Sequence, residues 1–251
     1  MGLRKRDAVA YYEAVAPTIL PHLRDRPFTI KRHYNGPRSP FAWVKDAPPE
    51  LPGRVRRCPL PAKARRGALV EYPVVDDVEA LVWMVDYGCV DLHVWLSRCG
   101  TPSEPDYVLF DIDRDPVRNA LLVRQALDAL GLASVVKTSG GDGLHVAAPI
   151  GPGHSYPETR EFARIVAGAV GADVDAKLNG EGMTIASAYS LRPLPGAPVS
   201  TPLAWDEVEE GLDPRAFTPD VVLQRIEERG DLWAPLLRGG RRLAEALANL
   251  T

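Results

Sequence analysis

The pattern of apolar and polar residues along the chain predicts both helices and strands. Apolar residues recur every three or four positions in residues 7–24, which is typical of an amphipathic helix, here interrupted at Pro17. A second helix is predicted over residues 76–87. Between the two, residues 35–66 are rich in proline and arginine and show little periodicity, so this segment is predicted to be an extended loop region.

The rest of the chain mixes short strands with helices. The predicted segments are strands around 90–96 and 107–113, a helix over 117–130, a strand-turn-strand unit at 134–150, a helix over 157–170, short strands near 182–190, and mostly helix from 204 onward. A hairpin within such a mixture favours an α+β fold over a doubly wound parallel sheet.

Composition adds that the chain is an ordinary globular protein. Of its 251 residues, 45% are hydrophobic and 25% are charged, and charge or proline interrupts every apolar stretch before it is long enough to span a bilayer. The N-terminus has basic residues without an apolar signal-peptide core behind them. Three cysteines, Cys58, Cys89 and Cys99, lack metal-ligand spacing, and we predict reduced thiols in a cytoplasmic protein.

The formal net charge of −3 conceals an uneven distribution of charge. Residues 1–70 carry 15 Lys and Arg against 5 Asp and Glu, whereas residues 71–251 carry 15 against 28. A basic segment suits phosphate backbones, and interleaved aromatic side chains suit stacked bases. The aromatic residues in question are Phe28, Tyr34, Phe41 and Trp43. A solvated basic surface is the alternative interpretation.

The segment YVLFDIDRD, residues 107–115, carries the strongest chemical signal. On a strand, Asp111 and Asp113 project to the same side, about 7 Å apart at Cα. Two carboxylates this close repel each other unless a cation lies between them, and oxygen ligands suit Mg²⁺ or Mn²⁺. A solvated strand end is the alternative. An EF-hand loop is excluded, because Pro116 stands where glycine is needed and Leu122 where glutamate is needed.

A second signal is VVKTSGGDGLHVAAPI, residues 135–150. The glycines of the turn at 140–143 let backbone N–H groups approach an anion closely, and Ser139 adds a hydroxyl donor. His145, on the return strand, is placed to donate to a phosphate or a carboxylate. A plain hairpin turn is the alternative, and the spacing matches neither a Walker A loop nor a Rossmann fingerprint.

Three isolated polar residues complete the pattern: His93 in VDLHVWLSR, Asp175 in VDAKLNG and Arg192 in AYSLRPLPGAPVSTPLAW. Singly, each is more typical of a structural role. The ordered combination of DLHVW, VLFDIDRD, KTSGGDGLHV and AYSLRPLPGAPVSTPLAWDE, however, closely resembles the polymerase domain of bacterial DNA ligase D, in the archaeo-eukaryotic primase superfamily. The resemblance runs from YYEAVAPTILPHL near the N-terminus to GDLWAPLL near the C-terminus.

This resemblance implies a primase-polymerase palm built on an RRM-like antiparallel sheet with flanking helices, beside a smaller N-terminal module. Residues 1–70 would form the basic module that contacts DNA and residues 71–251 the catalytic domain, together one compact unit. The implied activity is template-directed addition of NTPs or dNTPs to gapped or broken DNA, in end joining or gap repair, by two-metal nucleotidyl transfer with Mn²⁺ or Mg²⁺. The implied partners are DNA with a 5′-phosphate, a Ku-like protein and a separate DNA ligase. A de novo primase and a non-catalytic nucleic-acid-binding module are the alternatives.

The resemblance also assigns catalytic and phosphate-binding roles. Asp111, Asp113 and Asp175 match the family's metal-binding carboxylates. His145 matches the histidine of the family's turn motif. The residues that match those holding the incoming triphosphate are His93, Ser139 and Arg192.

Further positions match the family's nucleotide and DNA contacts. Trp43, in PFAWVKDAPP, stands in place of a phenylalanine that stacks on a base, and Lys45 matches a lysine of the same motif. Lys31 is a candidate for the DNA 5′-phosphate. Asp142 departs from the family pattern, since the turn often has a lysine there that touches phosphate.

Overall fold

The computed structural model describes residues 4–36, 39–62 and 67–247 of the chain. The helices are α1 (Lys5–Leu23), α2 (Val78–Asp86), α3 (Pro116–Ala129), α4 (Tyr156–Val170), α5 (Pro219–Arg229) and α6 (Leu243–Leu247), with short 3-10 helices at Trp205–Glu207 and Ala234–Arg238. The strands are β1 (Phe28–His33), β2 (Phe41–Val44), β3 (Arg57–Pro61), β4 (Leu69–Pro73), β5 (Leu92–Val94), β6 (Ser97–Arg98), β7 (Thr101–Pro105), β8 (Tyr107–Ile112), β9 (Val135–Thr138), β10 (Leu144–Pro149), β11 (Ile185–Ala186) and β12 (Pro202–Leu203).

Two four-stranded antiparallel sheets organise these elements. Sheet 1 has the order β11-β5-β1-β2, and sheet 2 has the order β12-β9-β10-β8. Helices α3 and α4 pack on each other and against sheet 2, while α1 packs on α2. Antiparallel sheets with flanking helices confirm the predicted α+β class. Sheet 1 joins β1 and β2, from residues 1–70, to β5 and β11 from the rest of the chain. The division into a module of residues 1–70 and a domain of residues 71–251 stays a prediction.

Local sequence accounts for the helix that covers sheet 2. α4 begins at a capping box, in which Ser155 accepts from the backbone of Glu158 while the Glu158 side chain accepts from the Ser155 backbone. It ends at Gly171, whose left-handed backbone is favourable for glycine. Its apolar face, which includes Phe162 and Val166, is buried in the main core. The helix therefore fixes one side of the sheet whose strands carry the predicted site.

α1 is longer and more regular than the sequence predicts. It continues through Pro17 and also contains Pro21, so the predicted interruption is wrong. Proline removes a backbone hydrogen bond from the helix, but the apolar face stays buried on both sides of Pro17. Tyr12 and Ile19, fully buried, lie before and after it. Burial of these side chains offsets the lost hydrogen bond.

The predicted loop region at 35–66 contains two strands, so that prediction is wrong where β2 and β3 form. β2 pairs with β1, and β3 pairs with β4 in a separate two-stranded sheet. β3 carries Pro59 and Pro61, which a two-stranded ribbon tolerates at positions that need no N–H donor. Residues 37–38 and 63–66 of this prediction lie outside the described residues.

The cysteines also differ from expectation. Cys58 on β3 and Cys99 after β6 form a disulfide, so the prediction of three reduced thiols is wrong for this pair. Cys89 is free and buried. The pairing has no local signal, because Cys58 lies on the β3–β4 hairpin and Cys99 lies between β6 and β7, 41 positions away in sequence. The disulfide lies in a small apolar cluster with Leu60, Tyr72, Val74 and Trp95.

Within the described ranges, no helix is both long enough and apolar enough to cross a membrane.

Candidate active site

Three predicted carboxylates meet at the end of β8. Asp111 lies opposite His145 in the β8–β10 register, and Asp113 follows just after the strand. Asp175 reaches the same place from a distant part of the chain: its backbone N–H donates to the Asp111 carbonyl at 2.8 Å, forming an isolated antiparallel bridge. The Asp175 side chain is oriented locally, since its Oδ1 accepts from the Lys177 backbone at 2.8 Å. The fold therefore brings the three carboxylates together.

The charges at this point are crowded. Partial desolvation raises the pKa of Asp113, although its side chain is exposed, and neighbouring carboxylates raise it further. Those carboxylates belong to Asp111, Asp175 and Asp142. Repulsion of this kind is relieved by a divalent cation, and carboxylate oxygens are the donors that Mg²⁺ and Mn²⁺ accept. The donor set therefore fits the metal ions that the resemblance implies.

The same carboxylates do not form a complete cage for an ion. Across residues 4–36, 39–62 and 67–247, no three His, Cys, Asp or Glu side chains are already arranged as a metal-binding group. A site of this kind suits Mg²⁺, which is commonly bound through one or two carboxylates together with waters and substrate phosphates. Substrate oxygens would thus complete the coordination that the protein begins.

His145 holds the first carboxylate in place. Its Nε2 lies 3.1 Å from Asp111 Oδ1, and the His145 ring is buried. Burial chiefly lowers the pKa of His145 to about 4, so that the ring is neutral near pH 7 and donates from Nε2. Burial alone would raise the pKa of Asp111, but the His145 hydrogen bond and the positive charges of Lys137 and Arg192 lower it. Asp111 is therefore ionised and fixed in orientation.

The glycine-rich turn folds around Ser139. The Ser139 hydroxyl oxygen accepts from the backbone N–H groups of Gly141 at 3.1 Å and Gly143 at 3.2 Å, which leaves its own O–H free to donate. Arg192 arrives from a separate segment and donates from Nη1 to the Ser139 carbonyl at 2.6 Å. Arg192 Nε is buried and has no hydrogen-bond partner among the described residues. A buried donor without a partner is costly, and a bound anion would satisfy it.

Sheet 1 supplies His93 and Trp43. On β5, His93 pairs in register with Thr29, while on β2, Trp43 pairs with Lys31, so all four side chains lie on one face. The Trp43 ring meets the His93 ring edge to face, with centroids 4.9 Å apart, and is half exposed. Burial lowers the pKa of His93, and Arg192 is near enough to lower it further. His93 of sheet 1 therefore lies close to Arg192, which contacts the glycine-rich turn of sheet 2.

A residue that the sequence analysis missed organises this face. Asp91 is fully buried, and its Oδ2 accepts from Lys31 Nζ at 2.8 Å and lies 3.2 Å from His93 Nε2. Its Oδ1 lies 3.5 Å from His33 Nε2. Burial would raise the pKa of Asp91, but the two histidines and Lys31 hold it well below its usual range. An acidic residue two positions before His93, on the same face of the strand, was the available signal.

Two lysines that the resemblance singled out, Lys31 and Lys45, differ in their surroundings. Lys31 is committed to Asp91 and to the ring of Phe41, which its Nζ approaches to 4.4 Å, rather than standing free on a basic surface. Lys45 follows β2 directly and is exposed. Its predicted contact with nucleotide stays a prediction.

Comparison with known proteins identifies the family. The sequence profile of the LigD primase-polymerase domain matches residues 4–178 and 172–233. The chain belongs to this family. It is 28% identical over 253 residues to the bifunctional non-homologous end joining protein LigD of Bacillus subtilis, covering 90% of this chain and 40% of that protein. The multifunctional LigD of Pseudomonas aeruginosa is 26% identical over 272 residues, covering 97% of this chain and 32% of that protein. The chain thus spans well under half the length of these relatives.

A solved LigD structure confirms the fold. The polymerase domain of Mycobacterium tuberculosis ligase D, determined in complex with DNA, superposes with a TM-score of 0.84 at 28% identity, covering 93% of this chain and 92% of that one. The predicted α+β primase-polymerase fold and the predicted family are therefore both confirmed.

Gly143 of the glycine-rich turn packs closely against the end of β8 and Asp113, and a larger side chain there tests that packing. A Cβ there would lie 2.6 Å from the Ile112 carbonyl oxygen and 2.9 Å from Asp113 Oδ1. Gly143→Ala is expected to destabilise the protein by about 2 kcal/mol and to displace Asp113, lowering nucleotide incorporation. The matched control is Gly141→Ala, whose Cβ would have only an ordinary contact, 3.5 Å from Ser139 Oγ. Thermal denaturation and an extension assay on both variants check this, and equal behaviour of the two would contradict it.

Proposed function

We propose that the chain is a template-directed polymerase that adds NTPs or dNTPs to gapped or broken DNA by two-metal nucleotidyl transfer. The observation that carries the proposal is the meeting of Asp111, Asp113 and Asp175 beside a turn that presents Ser139 and Arg192. Acidic residues that attract divalent cations, next to donors that suit phosphate oxygens, are the parts that phosphoryl and nucleotidyl transfer require.

Each part of the cleft has a role in this proposal. Bound Mn²⁺ or Mg²⁺ would neutralise the triphosphate and activate the primer 3′-hydroxyl. The three carboxylates recruit that positive charge, and His145 keeps Asp111 ionised and oriented. Trp43, half exposed above His93, offers a ring on which a base stacks. The donors that hold the phosphates are His93, Ser139 and Arg192.

Extension of a gapped DNA duplex tests the proposal. The incorporated nucleotide should follow the template base, and chelation of divalent ions by EDTA should abolish incorporation. A protein that binds the same DNA but incorporates nothing with either Mn²⁺ or Mg²⁺ would be a non-catalytic binding module. Strand synthesis on single-stranded template without a primer would indicate a primase instead.

A basic pocket at the N-terminal end of α1 suits the downstream side of a DNA gap. A pocket of about 610 Å³, here called the N-terminal pocket, is lined by residues from the start of α1, the end of β1 and the end of α2. Lys5 lies at the first turn of α1, where the helix dipole also favours anions, and its Nζ donates to exposed Asp86 at 3.0 Å, a surface pair that a phosphate would replace. Arg32 stacks over Tyr87, with its guanidinium carbon 3.7 Å from the ring centroid, and lies 4.8 Å from that of Tyr34. Cations beside aromatic rings suit a terminal phosphate and its base.

We expect the N-terminal pocket to bind the downstream 5′-phosphate of a gap. A 5′-phosphate should strengthen wild-type binding to gapped DNA by about tenfold, because charge-assisted hydrogen bonds to phosphate are strong. The variants Lys5→Ala and Arg32→Ala should lose this preference. Fluorescence anisotropy with phosphorylated and unphosphorylated duplexes measures it. The control is Arg164→Ala, which removes an exposed arginine paired with Glu161 on α4. A phosphate preference that survives in both pocket variants would place the contact elsewhere.

A further inference from the structure

The acidic residue of the glycine-rich turn has a cationic partner. Arg215 Nη2 donates to Asp142 Oδ2 at 2.6 Å, although the two residues are far apart in the chain. Both side chains are at least half exposed, at 50% for Arg215 and 75% for Asp142, so the pair lies on the open side of the turn. A surface ion pair contributes little to stability. Its position beside the phosphate-binding donors therefore needs another explanation.

The loop that carries Arg215 is anchored to the site. The Arg215 backbone N–H donates to Asp213 Oδ1 at 2.9 Å, which fixes the local turn. Two residues later, the Phe217 carbonyl accepts from the backbone N–H of Val199 at 2.8 Å. Val199 in turn accepts, through its carbonyl oxygen, from the Thr138 hydroxyl at 3.1 Å, immediately before the glycine-rich turn. Arg215 is thus presented to the turn by a chain of hydrogen bonds rather than by a free loop.

The charges around the turn suggest a role for the Asp142–Arg215 ion pair. Asp142 adds negative charge to a cleft where Asp113 already stands among other carboxylates. Without compensation this charge would repel a triphosphate. The guanidinium of Arg215 supplies compensation, and it has five N–H donors, of which the described contacts use one side-chain donor, on Asp142. Because the Arg215 side chain is half exposed, its other donors are accessible to a ligand.

We propose that Arg215 is a nucleotide-binding residue, held by Asp142 at the mouth of the glycine-rich turn so that its guanidinium contacts the triphosphate of the incoming nucleotide. This rests on the proposed function, because it assumes that the turn binds a triphosphate. Arg suits the role, since its planar fork bonds phosphate oxygens in pairs. Asp142 is then a positioning residue. The turn has no cationic side chain of its own, and the segment that carries Arg215 supplies the positive charge.

A simpler account is that Arg215 only neutralises Asp142, and a double variant separates the two accounts. In gapped-DNA extension, Arg215→Ala should raise the KM for ATP by about tenfold and leave kcat unchanged. The double variant Asp142→Ala/Arg215→Ala should keep this raised KM, because the guanidinium is still missing. A double variant with the wild-type KM would overturn the proposal, and so would an unchanged KM in Arg215→Ala. The control Arg164→Ala should match the wild type.

Binding of nucleotides with different numbers of phosphates supplies the second readout. Calorimetric titration with Mn²⁺ and AMP, ADP or ATP should show that Arg215→Ala loses more affinity for ATP than for AMP. An equal loss for all three would overturn the proposal. A wild-type protein that neither incorporates nucleotide nor binds ATP would overturn the proposed function itself. If the wild-type protein incorporates nucleotide but Arg215→Ala binds ATP as tightly as the wild type does, only the inference about Arg215 is overturned.

Discussion

Asp113→Asn is expected to lower the kcat for nucleotide incorporation by about a thousandfold, since a metal ion contributes several kcal/mol to such a transition state. The substitution keeps the size of the side chain but removes the charge that recruits the ion. Asp113 is exposed, and its repulsion by neighbouring carboxylates raises its pKa, so its removal should not weaken the fold. Single-turnover extension measures the rate, and thermal denaturation should show an unchanged or slightly raised Tm.

The control for this prediction lies two residues further along. Asp115 is the exposed N-cap of α3, makes no capping hydrogen bond and pairs only loosely with Arg118, at 3.8 Å. Its backbone is left-handed, with φ at 42°, a conformation that asparagine adopts readily. Asp115→Asn should therefore retain wild-type activity. Undiminished incorporation by Asp113→Asn, or an equal loss in both variants, would contradict the assignment of Asp113 to the metal site.

Asp91→Asn is expected to destabilise the protein by about 3 kcal/mol, because it leaves partly buried Lys31 without a counter-charge. The same change frees His93 from the carboxylate that orients it, so the KM for nucleotide should also rise. Urea denaturation measures the first effect and extension kinetics the second. The control is Asp128→Asn, which breaks an exposed pair with Arg124 on α3 and should cost less than about 1 kcal/mol. Wild-type stability of Asp91→Asn would show that the buried cluster does not depend on this charge.

Much of the fold was predictable because its signals are local. Apolar runs and turn glycines placed β8 and β10, and the apolar pattern placed α4, close to where they lie. The errors arose where tertiary contacts outweigh local propensity. α1 continues through Pro17 because its buried face is continuous across that residue, and β3 forms despite two prolines because it lies in a two-stranded ribbon.

The residues of the candidate site also divide into those with a local sequence signal and those without one. The spacing of Asp111 and Asp113 on a strand predicted their common face, and the KTSGGDG segment predicted the turn around Ser139. Asp175 was assigned through resemblance alone, since only the backbone bridge to Asp111 places it there. Arg215 was missed because its partner Asp142 lies far away in the chain. Asp91 lies only two positions before His93, but its ion pair with Lys31 bridges 60 positions in sequence and appears only in the folded chain. Pairing of this kind is a property of the folded chain.

In the proposed mechanism, the carboxylates at the end of β8 hold divalent ions against a triphosphate on the glycine-rich turn. Anomalous diffraction from crystals grown with Mn²⁺ and a non-hydrolysable ATP analogue tests it most directly. The expected result is Mn²⁺ ligated by Asp111 and Asp113, with the triphosphate bound by Ser139 and Arg192. Mn²⁺ ligated by other residues, or a triphosphate bound away from the turn, would contradict this mechanism.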